Sequence, residues 1–290
     1  MQPFVTVVTD AITRTQSVVC VGLDPVLANL PADVTARHHE PVAAIRAFCL
    51  GIIDATCEVC PVVKPQSACF ERFGARGVQV LEDCCAHARH RGMVVLLDAK
   101  RGDIGISAEH YAAAAVHAGA HAITVNGYLG PSTIEPYLAA GLGVFALVRT
   151  SNPDSDLVQS LMLRDERTVA EMMADHVALL GAKYKTGDQA AGGLSNLGAV
   201  VGATKSADAV ALRRRMNDQI FLIPGYGAQG GTAKDIAEMR RPGATALTDA
   251  GVLVNASRSI IYAKGNGDWK ENAREAAGVM RAELNGVLQT

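Results

Sequence analysis

Residues 94–105 read VVLLDAKRGDIG, so that four apolar residues are followed at once by a cluster of charged ones. A short run of Val and Leu that ends in a glycine-containing loop is typical of a fully buried strand. Side chains two apart on a strand point the same way, so we expect Asp98 and Lys100 to lie side by side, roughly 6–7 Å apart. Asp103 follows just beyond the strand. Charges at a buried strand end are costly unless paired, so the stretch indicates either a structural ion pair or a catalytic cluster.

Similar apolar runs recur along the chain and alternate with helical patterns. The predicted strands are residues 18–23, 61–64, 93–98, 122–125, 144–148, 199–202, 220–224 and 251–255. The predicted helices are residues 41–60, 77–90, 106–118, 132–140, 168–181, 207–216, 232–240 and 269–287. Strict alternation of short strands with helices predicts a parallel sheet, and eight repeats favour a closed barrel.

The predicted fold is therefore α/β, a single (β/α)8 TIM barrel domain over residues 1–290. An open doubly wound sheet is the rival, but Gly22-Leu23-Asp24-Pro25 follows the first strand where a G-x-G-x-x-G motif would be expected. Residues 150–200 form an enlarged region after strand 5. Its end, residues 186–196, is rich in Gly and polar residues and predicts a flexible loop. The region is either a substrate lid or a tolerated surface insertion.

Composition excludes several classes of function. The net charge is −2 and aromatic residues make up 4% of the chain, which argues against nucleic-acid or anionic-membrane binding. No stretch of 18 uncharged apolar residues predicts a membrane span, and residues 1–16 lack the pattern of a signal peptide, so we expect a cytoplasmic protein. The seven cysteines have no zinc-finger spacing and predict buried reduced thiols, with no metal site.

The carboxyl ends of the predicted strands carry polar side chains, and in a barrel these ends meet at one mouth. In chain order they are Asp24, Lys64, Asp98 with Lys100 and Asp103, Asn126, the 149–153 stretch RTSNP, the 224–231 stretch PGYGAQGG, and Asn255 with Arg258. The last two groups predict a phosphate site. Glycines allow the backbone to approach an oxyanion, a helix beginning near Thr232 adds positive potential, and Arg258 can bind phosphate with two hydrogen bonds.

These stretches together resemble orotidine 5′-phosphate decarboxylase, in particular its longer bacterial type. Residues 98–105 (DAKRGDIG) resemble the family signature. The likeness extends to residues 21–25, 64–66 with 70–71, 150–153, 224–231 and 257–259, and so covers nearly the whole chain.

The resemblance implies a carboxy-lyase that converts orotidine 5′-monophosphate to UMP and CO2 in de novo pyrimidine biosynthesis, with no cofactor. It implies that Lys64, Asp98, Lys100 and Asp103 form an alternating charge network around the reacting carbon. Lys100 would then stabilise and protonate a carbanion at pyrimidine C6, since the flanking carboxylates favour its charged ammonium.

The resemblance also implies how the substrate is bound. Asp24 and Lys64 would hold the ribose hydroxyls, and Ser151 the pyrimidine ring. Gln229 and Arg258 would bind the phosphate, with Gly227 and Gly230 in the same loop. Asp103 would reach into the neighbouring subunit's site, which implies a homodimer.

Three alternatives remain open at this point. One is a metal-dependent sugar-phosphate decarboxylase or aldolase of the same superfamily, although Lys100 between Asp98 and Asp103 would repel a cation. Another is a non-catalytic nucleotide-phosphate-binding barrel. Asp103 has its own alternative, which is to cap the helix predicted to begin near Ile106. Whether Asn126 or Tyr226 contacts a ligand is left undecided.

Overall fold

The computed structural model describes residues 2–186, 193–227 and 230–289. Its eight parallel strands pair in chain order and close between β8 and β1, which confirms the predicted (β/α)8 barrel. The strands are β1 (Val19–Leu23), β2 (Val62–Pro65), β3 (Val94–Arg101), β4 (Ala122–Val125), β5 (Gly143–Arg149), β6 (Ser195–Val201), β7 (Gln219–Ile223) and β8 (Val252–Ala256). Nearly every strand residue is buried, because helices cover the outside of the barrel and side chains fill its interior.

The described helices lie mostly where the sequence predicts them. They are α1 (Phe4–Thr15), α2 (Ala32–Arg37), α3 (Pro41–Thr56), α4 (Ser67–Glu71), α5 (Gly74–His90), α6 (Gly105–His117), α7 (Glu135–Ala139), α8 (Asp156–Gln159), α9 (Val169–Gly181), α10 (Ser206–Arg215), α11 (Ala233–Glu238), α12 (Arg258–Ile261) and α13 (Trp269–Leu288). No helix in the described ranges is long and apolar enough to cross a membrane. All seven cysteines are free thiols, and all but the half-buried Cys69 are buried.

The amino-terminal helix α1 is absent from the sequence-based prediction. Phe4 packs edge-on against Phe145, with the ring centroids 5.6 Å apart. The amide of Val5 donates to Asn196 Oδ1 at 3.0 Å. A Cβ on Gly143 would come within 2.3 Å of the Phe4 ring, so glycine is required there for α1 to close the amino end of the barrel.

Strand β6 begins four residues earlier than predicted. Ser195 and Asn196 belong to this strand, so their assignment to a flexible loop is wrong. The Ser195 hydroxyl donates to the carbonyl of Gly181 at 2.8 Å and accepts from the amide of Leu197 at 3.1 Å, which fixes the start of the strand against α9. Residues 187–192 of the predicted loop lie outside the described residues.

Candidate active site

Asp98 is the centre of a buried charge cluster at the carboxyl ends of β2, β3 and β4. Its Oδ2 accepts hydrogen bonds from Lys64 Nζ at 2.6 Å and from Gln66 Nε2 at 3.2 Å. Its Oδ1 accepts from Lys100 Nζ at 2.5 Å and from Thr124 Oγ1 at 2.9 Å. The two oxygens therefore accept four hydrogen bonds, two of them from ammonium groups, and the carboxylate is held in one orientation.

The charges of this cluster stabilise one another. Burial alone would raise the pKa of the Asp98 carboxyl, but attraction to Lys64 and Lys100 outweighs it and lowers the pKa to about 2. Burial would likewise lower the pKa of Lys64, but Asp98 and Asp24 raise it above its usual value. The buried carboxylate and the buried ammonium are thus both charged at neutral pH. Lys100 differs from Lys64 because its side chain is 46% exposed.

The backbone reaches Lys100 through a bulge, where the sequence predicts simple strand alternation. The register between β3 and β4 changes from Leu97 opposite Ile123 to Arg101 opposite Val125, so β3 advances four residues while β4 advances two. Lys100 sits in this bulge with φ +47°, in the left-handed region that non-glycine residues seldom adopt. Its amide donates to Thr124 Oγ1 at 3.0 Å, so one threonine hydroxyl connects Lys100 to Asp98.

A cavity of about 890 Å³ opens directly above the cluster. Lys64, Asp98 and Lys100 lie on one side of it, Ser151 follows β5 on another, and Asn255 lies on β8. The volume is in the range that holds a small-molecule ligand. The structure therefore brings together four of the predicted site residues: Lys64, Asp98, Lys100 and Ser151.

The segment that follows β5 forms a large part of the cavity wall. Thr150, Ser151, Asn152, Val158 and Met173 are among its lining residues. The enlarged region is predicted to be either a substrate lid or a surface insertion. The position of these residues in the cavity wall favours a role at the substrate side of the barrel.

Arg149, the last residue of β5, holds that segment in place. Its guanidinium is 3% exposed and forms ion pairs with Asp156 on α8 and with Asp208 on α10, the latter at 2.7 Å. It also donates to Ser155 Oγ at 2.9 Å. Burial would lower the pKa of Arg149, but these carboxylates raise it above its usual value. The sequence analysis places Arg149 at a strand end without assigning it a role.

Two buried acceptors near β1 have no hydrogen-bond donor among the described residues: Oδ1 of Asp24, which follows β1, and Oδ1 of Asn255 on β8. Native proteins rarely leave buried polar atoms unpaired, so each unpaired oxygen needs an explanation. Asp24 is among the predicted binding residues. Asn255 has no predicted role, and nothing in its immediate sequence indicates that its amide is unpaired.

Three described glycines of the loop after β7 have the positive φ angles that favour glycine. Gly225, Gly227 and Gly230 have φ values of +93°, +66° and +96°. The amides of Gly227, Gly230 and Gly231 donate to carbonyls of Gly231, Gly227 and Gly225, at 2.8–3.1 Å, so these three amides are already paired. Gln229 lies outside the described residues.

The structure shows which groups of the predicted phosphate site are already paired. The first turn of α11 has its own capping box, in which Asp235 Oδ2 accepts from the Thr232 amide at 2.8 Å, so a carboxylate of the chain offsets part of the positive potential at this helix terminus. The Tyr226 hydroxyl donates its proton to Glu283 on α13 at 2.5 Å, so it is already paired within the chain. Arg258 begins α12 and is exposed, and its guanidinium makes no hydrogen bond or ion pair with the described part of the chain.

Asp103 lies outside the cavity lining. Its Oδ1 accepts from the amide of Ile104 at 2.8 Å, and α6 begins at Gly105 without any side-chain cap. The alternative that Asp103 caps this helix is therefore wrong.

Asn126 has a structural contact and also lines the cavity. Its side chain caps the turn after β4, where Oδ1 accepts from the Tyr128 amide at 3.1 Å. Across residues 2–186, 193–227 and 230–289, no cluster of His, Cys, Asp and Glu could hold a metal ion.

Comparison with known proteins agrees with this geometry. Residues 17–276 match the model of the orotidine 5′-phosphate decarboxylase / HUMPS family. The chain is 37% identical to an orotidine 5′-phosphate decarboxylase of Rhodopirellula baltica, over 99% of this chain and 100% of that one. It is 40% identical to one of Deinococcus radiodurans, over 98% of both. The solved structure of Leishmania donovani OMP decarboxylase superposes with a TM-score of 0.79 at 30% identity, over 100% of both chains.

Proposed function

The chain belongs to the orotidine 5′-phosphate decarboxylase / HUMPS family, and we propose that it removes CO2 from orotidine 5′-monophosphate through a carbanion at pyrimidine C6 that Lys100 stabilises and protonates. Family membership makes the chain a carboxy-lyase of pyrimidine biosynthesis. The observation that carries the mechanism is the fixed pair of ammonium groups on Asp98, one buried and one facing the cavity.

The reaction needs a cation beside the reacting carbon. When the bond from C6 to the carboxylate breaks, CO2 leaves and the electron pair stays on C6. The Lys100 ammonium offsets this negative charge and then transfers a proton to C6, which gives UMP and a neutral amine that is reprotonated from solvent. Because Asp98 holds Lys100 before the substrate arrives, little reorganisation is required during the reaction.

The remaining predicted residues bind the rest of the nucleotide. Asp24 and Lys64 contact the ribose, and Ser151 contacts the pyrimidine ring from the β5 side. Arg258, exposed and without a partner in the described chain, binds the phosphate together with Gln229, beside the loop that contains Gly227 and Gly230. The phosphate is remote from C6, so its binding energy can serve to close the loops over the site.

The active unit in this proposal is a homodimer in which Asp103 completes the partner's site. Asp103 forms no ion pair within the described chain. Ile104 and Ile106, next to it, are 61% and 68% exposed, and Tyr128 and Leu129 of the adjoining β4 loop are 80% and 54% exposed. Such a group of exposed apolar side chains is typical of a surface that a partner covers.

Turnover of orotidine 5′-monophosphate, followed by the loss of ultraviolet absorbance with and without a chelator, tests the function. We expect turnover that the chelator leaves unchanged. Activity lost with the chelator and restored by a divalent cation would favour the metal-dependent alternative. Tight binding of UMP without any turnover would favour the non-catalytic nucleotide-binding barrel.

A further inference from the structure

The inner face of β8 carries one polar side chain whose role the reaction above does not explain. Asn255 is 8% exposed, while the other residues of β8, Val252, Leu253, Val254 and Ala256, are apolar. Asn255 lines the same cavity as Lys64 and Asp98, yet its Oδ1 accepts no hydrogen bond from the described chain. A buried carbonyl oxygen without a donor destabilises the free protein, so an apolar residue would suit the fold better.

The amide of Asn255 lies where the cavity wall passes from β8 to β1. Asn255 pairs with Cys20 of β1. A Cβ on Gly22 would come within 3.3 Å of Asn255 Oδ1 and 2.0 Å of Ser257 Oγ, so glycine is required where β1 passes these two side chains. Gly22 in turn pairs with Lys64 of β2. Asn255, Gly22 and Lys64 thus lie on three consecutive strands, β8, β1 and β2, along one side of the cavity.

The chemistry of the substrate limits what can donate to Asn255. At neutral pH orotidine 5′-monophosphate has three hydrogen-bond donors, the pyrimidine N3–H and the 2′ and 3′ hydroxyls of ribose. Ser151, proposed to contact the pyrimidine, follows β5, which lies across the barrel from β1. Asp24 and Lys64, proposed to contact the ribose, belong to the β1 and β2 side. The donor on the β8 side is therefore a ribose hydroxyl.

We propose that Asn255 Oδ1 accepts a hydrogen bond from a ribose hydroxyl of the bound nucleotide, which makes Asn255 a substrate-binding residue that favours ribonucleotides over deoxyribonucleotides. This inference rests on the proposed function, because it takes the substrate from it. The competing explanation is that a retained water molecule satisfies Asn255 and that Asp24 and Lys64 alone recognise the ribose.

The test measures affinities of UMP, its 2′-deoxy analogue and its 3′-deoxy analogue by calorimetry. Each deoxy analogue gives a ratio of its dissociation constant to that of UMP. In Asn255→Leu, of similar size but without an acceptor, we expect one of the two ratios to fall about fivefold, as for the loss of one neutral hydrogen bond. Asn255→Asp keeps an acceptor and should retain the parental ratio. Ser195→Ala, a buried change at the amino end of β6, serves as the control and should change neither ratio.

The proposal is overturned if both ratios in Asn255→Leu stay within about twofold of the parent, the size of the weakest hydrogen-bond contributions. Should Asn255→Leu fail to fold, as judged by urea unfolding, Asn255→Ala supplies the same two ratios and decides in the same way. Failure of the proposed function is recognised separately, because the parent protein would then neither bind UMP nor turn over orotidine 5′-monophosphate.

Discussion

Asp98 is the residue on which both the charge of the site and part of the folding free energy depend. Lys64 is 4% exposed, and Asp98 is the only carboxylate within salt-bridge distance of it in the described structure. Removing one member of a buried ion pair leaves the other charge uncompensated, which costs about 3–5 kcal/mol. Replacing either Lys64 or Asp98 alone therefore destabilises the fold.

Replacing Lys64 by Met tests this coupling through pH. In the parent, the folded Asp98 carboxyl has a pKa of about 2 against a usual value of 3.8, so the unfolded chain binds the proton more readily. The resulting stabilisation, about 2 kcal/mol, is present above pH 3.8 and is lost as the pH falls through 2. Without Lys64, only Lys100 still opposes the effect of burial on the pKa of Asp98. The pKa of folded Asp98 therefore rises, and the stabilisation that the carboxylate contributes becomes smaller or changes sign.

We therefore expect Lys64→Met to be less stable than the parent by about 3 kcal/mol at pH 7 and by clearly less at pH 3. Urea unfolding at both pH values measures the difference. A deficit of equal size at the two pH values would contradict the coupling.

Replacing Lys100 by Ala should abolish decarboxylation and preserve binding of UMP. Lys100 is 46% exposed and lies above the buried pair, so its loss leaves Asp98 neutralised by Lys64. Steady-state turnover and UMP affinity, measured on the same preparation, separate the two effects. Activity within tenfold of the parent would rule out Lys100 as the proton donor.

Replacing Arg258 by Ala should act on phosphate binding alone. We expect KM to rise and kcat/KM to fall on the order of 10²-fold, as for the loss of a charge-assisted pair worth about 3 kcal/mol. Turnover of the phosphate-free nucleoside orotidine is the internal control and should be almost unaffected. Equal losses on both substrates would show that Arg258 does not bind the phosphate.

At the scale of whole elements, the end of β5 shows how one buried side chain positions a loop. Arg149 connects β5 with α8 and α10, and the adjacent Thr150 exchanges hydrogen bonds with Gln159 at 2.8 and 2.9 Å. Ser151 leaves the barrel directly after this anchored pair. The orientation of Ser151 towards the cavity thus depends on contacts made by its neighbours.

Arg149→Met should therefore lower both stability and kcat/KM. The substitution leaves the carboxylate of Asp208 without its partner and removes the ion pair between β5 and α8, so we expect a loss of at least about 2 kcal/mol and at least tenfold in kcat/KM. Lys205→Met is the matched control, because it removes the other cation on Asp156, an exposed carboxylate, and should cost less than about 1 kcal/mol. Similar effects of the two variants would show that Arg149 has no special role.

The sequence was sufficient to predict the barrel, because apolar runs mark parallel strands, and to place Asp98 beside Lys100 at a strand end. The contact of Lys64 with this pair follows only from the family resemblance. The sequence could not predict the bulge at Lys100, since a bulge depends on the register of β3 against β4. The contact of Arg149 with Asp208 joins residues far apart in the chain. The unpaired amide of Asn255 is likewise visible only when all neighbours are in place.

At the scale of the whole molecule, the fold leaves one member of the proposed charge network outside its own cavity. Asp103 is half-buried, lies next to the exposed Ile104 and Ile106, and is not among the residues that line the cavity. A C2 dimer that buries this surface would place each Asp103 towards the other subunit in a symmetrical manner. The complete site would then exist only in the assembled dimer.

Mixing two inactive variants tests this arrangement. Asp103→Ala and Lys100→Ala proteins are combined under conditions that exchange subunits. A hybrid dimer then has one site that lacks both groups and one site that is intact. At equal mixing half of the dimers are hybrids, so about a quarter of the parental activity should return if the sites act independently. No recovery, with exchange proven by labelled subunits, would place Asp103 within its own chain.

The left-handed backbone at Lys100 has a consequence for the history of the gene. A lysine at φ +47° is strained, and glycine would adopt this conformation without cost. Backbone strain alone thus favours glycine at this position, whereas the ion pair with Asp98 and the proposed role in decarboxylation favour lysine. A duplicated copy released from selection for the reaction could change to glycine, which removes the strain together with the ion pair. Glycine at position 100 would therefore mark a paralogue that has kept the barrel and abandoned the reaction.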